Sequence, residues 1–457
     1  MMPAVTLALA GIQHEALLDH LFPSDGLEAA AIMLCARGVG DRKRLVVREI
    51  IAVPHERCAV REPDFITWPG DFIEQAIDRG EKDGLTIILV HSHPRGTLAF
   101  SARDDESDSS TMPCLFQAYG CVHGSAVMVP GGAMRARLYG GDLTCRTVDL
   151  VTVAGHEILH RWAHDAGGRP AAFTSAMTDE LGRLTAVVIG VSGTGSITAE
   201  EAARMGFGRV ILIDFDKVER KNLNRILNAT RADIGRPKVE VLADAIRCMG
   251  LGTRVVPIQS TLFAADVVRR VALADVLFGC VDSVDGRDLM NRIAAHYVLP
   301  YLDVGVRLDA DGQGGVDGVH GTVHYLQPDG SSLLSRGAYS AKALQAAHLR
   351  RADPELYESQ LKEKYVIGVQ EGSPAVVSVN TFYAALAVNE LLARLHPFRD
   401  DVNRRFAQNG VSLSQSRFLS ERDGEPDLAL VKHAGRGDRV PLLDMPEFSP
   451  VVTKRAS

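Results

Sequence analysis

One stretch of the sequence constrains the fold more than any other, the apolar run that begins at Leu184. It reads LTAVVIGVSGTGS, a buried strand that leads into a glycine-rich turn, and the next residues, ITAEEAARMG, have a helical composition. A second apolar strand, RVILIDFD, follows. Strand, turn, helix and strand in this order form the unit of a parallel α/β sheet that binds a nucleotide. The sequence therefore predicts an α/β domain in this part of the chain.

The turn and the end of the second strand carry the first candidate binding residues. Gly190, Gly193 and Gly195 let the backbone approach phosphate groups at the N-terminus of the helix. Asp214 ends the second strand, where a carboxylate accepts the hydroxyl groups of a ribose. The glycine pattern alone fits a dinucleotide as well as a triphosphate.

The residues that follow favour a nucleoside triphosphate over a dinucleotide. Asn222 and Arg225 lie in NLNR, and Lys238 lies in GRPK. Cations neutralise the charge that builds up when the α-phosphate is attacked, whereas hydride transfer has no need of them. Asp282 follows the apolar run DVLFGC and offers a carboxylate suited to Mg²⁺.

A second constellation lies nearer the N-terminus. The run TIILV predicts a strand that leads into His91 and His93, and alternate strand residues share a face, so both imidazoles can reach one metal ion. Ser101 and Asp104 are three residues apart and share one face of a predicted helix. Two histidines and one aspartate form the ligand set of a catalytic zinc site. Because Asp105 is adjacent, the choice of Asp104 rests on spacing.

Composition excludes several classes of protein. The 457 residues suggest two or three domains, and the formal charge of −7 provides no basic field for nucleic acid or an anionic membrane. No apolar run approaches the ~20 residues of a transmembrane helix, and the opening run MMPAVTLALAG lacks a basic start. Seven scattered cysteines without a CxxC pair indicate no disulfide framework. We therefore expect a cytoplasmic protein without a nucleic-acid or membrane partner.

The spacing His-x-His-Pro, six residues, Ser, two residues, Asp resembles the JAMM (MPN/JAB-type) metallo-isopeptidases. That resemblance implies an α+β domain in which zinc ligation falls on His91, His93 and Asp104, and support of the tetrahedral intermediate on Ser101. It also implies an upstream glutamate that activates water. Glu28, in GLEAAAIMLC, holds that position, and Glu49, in REIIAV, is the second candidate.

The series GxSGxGS, IDFDxV, NLNR, PK and CVDSVDGR resembles the ThiF/MoeB-type adenylyltransferases, which are relatives of ubiquitin-activating enzymes. The resemblance implies a Rossmann-like fold that uses ATP and Mg²⁺ to adenylate the C-terminal glycine of a ubiquitin-like protein. The ATP-binding positions are then Gly190, Gly193, Gly195, Asp214, Asn222, Arg225, Lys238 and Asp282, and Asp282 also binds magnesium.

This chain also departs from the ThiF/MoeB pattern. The two CxxC pairs that hold a structural zinc in many relatives are missing, and every cysteine precedes Pro300. We therefore expect no thioester on this chain and transfer of the acyl group to a partner thiol, for example that of a conjugating enzyme. Relatives commonly form homodimers, and Arg169 is a candidate for the arginine that completes a neighbouring ATP site.

The segment GHEILHRWAH contains His156-Glu157-x-x-His160, formally a zincin pattern. Only three letters of this pattern are fixed, and the chain has 15 histidines, so the pattern arises easily by chance. We interpret the segment as an amphipathic linker helix with Ile158, Leu159 and Trp162 as packing residues. Metal binding here is the alternative.

These motifs predict the fold class α/β, divided into a JAB/MPN α+β metalloprotease domain (1–148), a linker helix (149–182), a Rossmann-like ThiF-fold adenylation domain (183–400) and a tail (401–457). The function they imply is a bifunctional enzyme of a prokaryotic ubiquitin-like modification system, in which the zinc domain processes or removes the modifier. Two alternatives stay open. One is activation of a sulfur carrier for cofactor or cysteine synthesis, and the other is a modifier-binding scaffold with an active isopeptidase only.

Overall fold

The computed structural model describes residues 2–38, 42–120, 122–164, 169–310, 316–362 and 376–449. Within them the chain forms two compact units. The first contains Pro3–Arg169, His296–Val298 and the chain from His433 onward, and the second is built mainly from Pro170–Ala295 and Leu299–Lys432. Three separate stretches of the chain therefore build the first unit.

A nine-stranded mixed sheet is the centre of the first unit. The strands of this unit are β1 (Val5–Ala10), β2 (Ala30–Gly38), β3 (Lys43–Ala52), β4 (Val60–Glu62), β5 (Phe65–Thr67), β6 (Thr86–Ser92), β7 (Val122–Met128), β8 (Met134–Gly140), β9 (Cys145–Thr147), β10 (Leu150–Ala154) and β11 (Ile158–Trp162). The sheet has the order β11-β10-β1-β3-β2-β6-β7-β8-β9, and β4 and β5 form a separate hairpin. Its helices are α1 (Gly11–Leu21), α2 (Asp71–Glu81) and α3 (Ala102–Ala118).

Strand β2 is apolar on both faces, and this fixes the position of its neighbour β6. Ala31 and Met33 pack into one hydrophobic cluster, whereas Ile32 and Leu34 pack into another on the opposite face of the sheet. A strand buried on both faces has a strongly specified register, because a slip by one residue would exchange the two faces. The antiparallel register pairs the start of β2 with His91 at the end of β6.

The later stretches of the chain supply hydrogen bonds inside the first unit. Arg44 on β3 is 1% exposed, and its guanidinium donates to the carbonyl oxygens of Tyr297 and Val298, both at 3.0 Å. Gly435 has a φ of +68°, and a Cβ there would lie 2.2 Å from the carbonyl oxygen of Val47. Only glycine fits this close approach.

The second unit contains an eight-stranded sheet in the order β14-β13-β12-β15-β16-β17-β18-β19. The strands are β12 (Thr185–Ile189), β13 (Arg209–Ile213), β14 (Arg254–Ile258), β15 (Val276–Gly279), β16 (Tyr301–Ala310), β17 (Val316–Leu326), β18 (Gln408–Ser412) and β19 (Arg417–Glu421). The first five in this order are parallel and the rest antiparallel. Strand order reverses beside β12, which makes the carboxyl ends of β12 and β15 the crevice where open α/β sheets bind ligands.

The remaining helices follow in chain order. They are α4 (Ser175–Leu181), α5 (Gly193–Arg204), α6 (Lys238–Cys248), α7 (Ala265–Val271), α8 (Val284–Tyr297), α9 (Ala341–Ala352), α10 (Pro354–Lys362), α11 (Val377–Leu395) and α12 (Leu428–Val431). Of the helices in the described part of the chain, none is both long enough and apolar enough to cross a bilayer.

The predicted linker helix at 149–182 is wrong for most of its length. Leu150–Ala154 and Ile158–Trp162 are antiparallel strands, and β10 also pairs with β1 in parallel. Only Ser175–Leu181 is helical, and residues 165–168 lie outside the described part. The β-branched run LVTV gains ladder hydrogen bonds from β1, which outweigh the amphipathic pattern that follows it.

The segment 401–457 is likewise more than a tail. Strands β18 and β19 extend the sheet of the second unit, and the chain from His433 onward belongs to the first unit. Residues 450–457 lie outside the described part. The predicted boundaries near 148 and 400 therefore differ from the division into units.

Candidate functional site

Three potential metal ligands converge at the carboxyl end of β6. The Nε2 atoms of His91 and His93 are 3.0 Å apart. The carboxylate oxygens of Asp104 lie 3.0 Å from Nε2 of His91 and 3.5 Å from Nε2 of His93. A tetrahedral zinc ion with bonds of about 2.0–2.1 Å separates its ligand atoms by roughly 3.3 Å. The donor atoms and their spacing therefore fit one zinc ion.

A helix cap places the aspartate. Ser101 is the N-cap of α3, and its Oγ accepts a hydrogen bond from the backbone N–H of Asp104 at 3.2 Å. Asp104 Oδ2 accepts from the backbone N–H of Ser101 at 2.6 Å, which completes a capping box. His93 Nδ1 donates to the carbonyl oxygen of Thr97 at 2.8 Å, so its Nε2 faces the other ligands. The three-residue spacing between Ser101 and Asp104 in the motif is therefore also the spacing that this helix cap requires.

Glu28 is the glutamate that the structure brings to the histidines. It lies just before β2, is 5% exposed, and interacts electrostatically with His91 and His93. Burial raises the pKa of the Glu28 carboxyl, and the two histidines partly offset that effect. Glu49 forms an ion pair with Arg79 instead. A partly buried carboxylate whose pKa is raised is suited to accept and return a proton.

The glycine-rich turn after β12 and the first turn of α5 are packed so closely that no side chain fits at the three predicted glycines. A Cβ at Gly190, where φ is +84°, would lie 2.6 Å from the carbonyl oxygen of Cys280. At Gly195 it would lie 1.8 Å from the carbonyl oxygen of Gly190. At Gly193 it would lie 2.2 Å from Nδ2 of Asn380. The structure thus brings the three predicted glycines together at the N-terminus of α5.

Asp214 ties this turn to the loop after β13. Its two carboxylate oxygens accept backbone N–H groups, one from Val191 at 2.7 Å and the other from Asp216 at 2.8 Å. Burial raises the pKa of Asp214, and the charge of Lys238 partly offsets it. Each oxygen keeps a further lone pair. Binding of a ribose by Asp214 therefore stays a prediction.

The other predicted residues surround the same sheet edge at different depths. Lys238, the first residue of α6, is buried, and its Nζ pairs with Asp216 Oδ2 at 2.7 Å. Asn222 is buried within a short 3₁₀ turn that its side chain caps. Arg225 is half-buried, and Asp282 is exposed beyond the end of β15. The phosphate and magnesium roles stay predictions.

Asp216 is a site residue that the motifs did not identify, although its signal is present in the sequence. In IDFD, Asp216 lies two residues after Asp214. The structure uses both carboxylates, one on backbone amides and the other on Lys238. An Asp-x-Asp sequence at the end of a parallel strand is thus a signal for a partner of the buried lysine.

A comparison with known families addresses both units. Residues 168–424, more than half of the chain, match the model of the ThiF family. The chain belongs to the ThiF family. Residues 13–139 match prokaryotic homologs of the JAB domain. Both resemblances inferred from the motifs are thus confirmed, with the α/β class, and we name the first unit the JAB unit and the second the ThiF unit.

Relatives of this ThiF protein come from several groups of organisms. The molybdopterin-synthase adenylyltransferase of Escherichia coli (strain K12) is 30% identical over 105 residues, which are 23% of this chain and 42% of that protein. The SAMP-activating enzyme E1 of Haloferax volcanii is 29% identical over 151 residues, 33% of this chain and 50% of that one. Ubiquitin-like modifier-activating enzyme 5 of Culex quinquefasciatus is 26% identical over 162 residues, 33% and 38% of the two chains.

The chain thus spans half or less of the length of these curated relatives. Among solved structures, E. coli MccB with MccA-N7isoASN is similar, with a TM-score of 0.45 and 17% identity. That similarity covers 56% of this chain and 69% of the other.

A second group of two histidines and an aspartate lies in the JAB unit, at His296, His433 and Asp444. His433 Nδ1 is 2.7 Å from Asp444 Oδ2, and His296 Nε2 is 3.8 Å from it. Arg436 donates to the same oxygen at 2.5 Å, and Arg439 Nε lies 3.7 Å from the other. Because two guanidinium groups neutralise the carboxylate and repel a cation, we interpret this cluster as an ion-pair network.

The zincin-like pattern does not form a metal site in the described part of the JAB unit. His160 lies on strand β11 and not on a helix, and His156, Glu157 and His160 do not form a three-donor cluster there. Glu157 Oε2 accepts from both terminal nitrogens of Arg169 at 3.1 Å. Arg169, a candidate for completing a neighbouring ATP site, is thus engaged within its own unit.

Proposed function

We propose that the chain is a bifunctional enzyme of a prokaryotic ubiquitin-like modification system. The ThiF unit adenylates the C-terminal glycine of a ubiquitin-like protein with ATP, and the JAB unit hydrolyses an amide bond to process or remove that modifier. The observation that carries the proposal is the convergence of His91, His93 and Asp104 beside Glu28, in the same chain as a ThiF unit. Relatives named for activating ubiquitin-like modifiers and SAMP support the choice of substrate.

In the JAB unit, the residues that would hold zinc are His91, His93 and Asp104. Zinc supplies a Lewis acid, which polarises the amide carbonyl and lowers the pKa of a water molecule. Glu28 takes a proton from the attacking water and returns it to the departing amine, so that an amide and water become a carboxylate and an amine. The hydroxyl of Ser101, whose oxygen already accepts from Asp104, keeps its own proton to donate to the carbonyl oxygen.

In the ThiF unit, a carboxylate oxygen of the modifier attacks the α-phosphorus of ATP, and pyrophosphate leaves. The N-terminus of α5 favours negative charge, and Arg225 and Lys238 add positive charge near the phosphates. Asp282 would hold the magnesium ion that accompanies the nucleotide.

The cysteine beside the glycine-rich turn is poorly suited to receive the acyl group. Cys280 lies directly after β15, beside the glycine-rich turn, and burial raises its pKa to about 12, so it stays protonated at neutral pH. A protonated thiol is a weak nucleophile. With Cys280 excluded, we propose that the acceptor is a thiol of a partner, such as a conjugating enzyme.

ATP–pyrophosphate exchange with candidate ubiquitin-like proteins from the same genome tests the activation step. We expect exchange that requires one candidate and that falls by at least an order of magnitude in Asp282→Asn, since the magnesium carboxylate is lost. Asp401→Asn is the control, because Asp401 forms an exposed pair with Arg405. Absence of exchange with every candidate would leave the ThiF unit a scaffold that binds the modifier.

The same candidate then tests the JAB unit as an amide-linked fusion. We expect cleavage after the terminal glycine that requires added zinc and is lost in Glu28→Gln. Exchange without cleavage would contradict the bifunctional proposal and retain only its first half.

A second candidate function is activation of a sulfur carrier. It is favoured by the similarity to the molybdopterin-synthase adenylyltransferase of E. coli. In that case the adenylated carboxylate becomes a thiocarboxylate, and no protein conjugate forms. Mass spectrometry of the candidate after incubation with ATP and a sulfide donor distinguishes the two outcomes.

A further inference from the structure

The N-terminus of α5 is left open for an anion. The N-cap residue is Ser192, whose side chain makes no capping hydrogen bond and whose backbone angles, φ −110° and ψ −132°, lie away from the usual extended cap. The first amide groups of a helix have no partner within the helix, and they carry the positive end of its dipole. The turn that precedes α5 is the glycine-rich turn.

A buried amide lies directly behind this turn. Asn380 is on the first turn of α11, which packs along α5, and it is 5% exposed. Its Nδ2 has no hydrogen-bond partner in the described part of the protein. The same atom lies against Gly193, where a Cβ would be only 2.2 Å from it. Among the described residues this donor has no partner, and it faces the first residue of α5 from the protein side.

A phosphate on the other side of the turn explains this donor. A phosphate that accepts from the amide groups at this helix N-terminus would order the turn and set the direction of its carbonyl oxygens. The carbonyl oxygens of Ser192 and Gly193 already accept from Ser196, but a carbonyl oxygen has a second lone pair for a further donor. A buried donor without a partner is unfavourable unless some state uses it. A leucine has the same branched shape without the unpartnered donor, although its methyl groups are bulkier.

We propose that Asn380 is a positioning residue for phosphate binding, which donates from Nδ2 to a carbonyl oxygen of the glycine-rich turn when that turn holds the phosphates of ATP. The inference rests on the proposed adenylation function. Asn380 then contributes to the free energy of ATP binding and not to the stability of the ATP-free protein.

The test compares Asn380→Leu with wild type in the full chain. We expect the dissociation constant of MgATP, measured by calorimetry, to rise about 5- to 10-fold, the effect of one lost hydrogen bond. The melting temperature without nucleotide should be unchanged or higher, because the unpartnered donor is gone. A role in packing alone predicts the opposite pair of results, a lower melting temperature and an unchanged dissociation constant.

Asn389→Leu is the matched control. Asn389 lies on the same helix, is exposed, and donates from Nδ2 to the carbonyl oxygen of Ala385. We expect wild-type ATP affinity in this variant. If Asn380→Leu fails to fold, Asn380→Ala provides the same comparison without added bulk.

The outcomes separate the two proposals. Wild type that binds no MgATP overturns the adenylation function and this inference with it. Wild type that binds MgATP, together with an Asn380 variant of equal affinity, overturns the role of Asn380 alone.

Discussion

The JAB unit contains two groups of two histidines and one aspartate, and their surroundings differ. At the first, the carboxylate of Asp104 faces His91 and His93 and is fixed by a backbone amide. At the second, the carboxylate of Asp444 faces His433 but also bonds to Arg436. The donor types are the same, and what differs is the charge next to the carboxylate.

The comparison shows that donor type and spacing do not by themselves make a metal site. A guanidinium and a divalent cation compete for the same carboxylate oxygens. Arginine is always charged, so an arginine that already pairs with the carboxylate disfavours binding of the metal ion. In the first group, the nearby Arg137 is held by Asp105 and Asp108 and stacks on Phe100, so its charge is directed away from Asp104.

The largest expected effect separates the two groups by zinc affinity. Asp104→Ala should weaken zinc binding by more than about 100-fold, because a ligand contributes more than the 10- to 100-fold typical of outer-shell partners. Asp444→Ala should leave zinc affinity unchanged. Zinc content after dialysis and competition with a chelator measure both. Equal loss of zinc in the two variants would show that the arginines do not exclude the ion.

For the free energy of unfolding we expect the reverse order, with a larger loss for the Asp444 variant than for the Asp104 variant. Asp444→Ala leaves Arg436 and His433 facing each other without a carboxylate, and we expect a loss of about 2 kcal/mol, below the 3–5 kcal/mol of a fully buried pair. Urea unfolding, followed by a spectroscopic signal from the JAB unit, measures this loss. Asp64→Ala, which breaks an exposed pair with Arg95 in the same unit, should cost less than about 1 kcal/mol. A value for Asp444→Ala as small as this control would contradict the network.

The carboxylate of Glu201, which forms no ion pair among the described residues, extends the comparison to pH. Burial, followed by the charge of Glu200, raises the pKa of Glu201 on α5 to about 7. The folded protein therefore holds this proton more tightly than the unfolded chain, and stability falls as pH rises from about 4.5 to 7. Glu201→Gln should stabilise the protein by about 1–2 kcal/mol at pH 8 and hardly at all at pH 4.5. Melting temperatures at the two pH values measure the difference, and equal gains at both would contradict it.

The smallest effect concerns the neighbour of the zinc aspartate. Asp105→Asn should change zinc affinity by less than about 3-fold, because Asp105 is mostly exposed and its carboxylate pairs with Arg137. Chelator competition against Asp104→Ala measures it. A loss comparable to that of Asp104→Ala would move the ligand role to Asp105.

The two groups also show what could be predicted from the sequence. His91, His93 and Asp104 lie on one strand end and the helix that follows, so strand periodicity and helix capping place them together without distant contacts. His296, His433 and Asp444 come from remote stretches, and no local spacing links them. Their proximity follows from the return of the chain to the JAB unit.

The errors elsewhere have a similar cause. The segment Leu150–Ala154 is a strand because β1, far away in sequence, offers it a ladder, and local amphipathicity does not report that partner. Asn380 lies on the apolar helix α11, whose sequence pattern reports only its packing. The significance of one amide within it depends on Gly193, which only the tertiary structure places opposite.

The division of the JAB unit into three stretches has a consequence for its biosynthesis. The ribosome adds Arg44 long before Tyr297 and Val298, whose carbonyl oxygens accept hydrogen bonds from its guanidinium. Until the chain of the ThiF unit has emerged, the growing JAB core therefore holds a cation without its final acceptors. Translation that stalls within the ThiF segment would leave this intermediate as a substrate for chaperones and proteases, so the supply of folded JAB unit would be tied to complete synthesis of the ThiF unit.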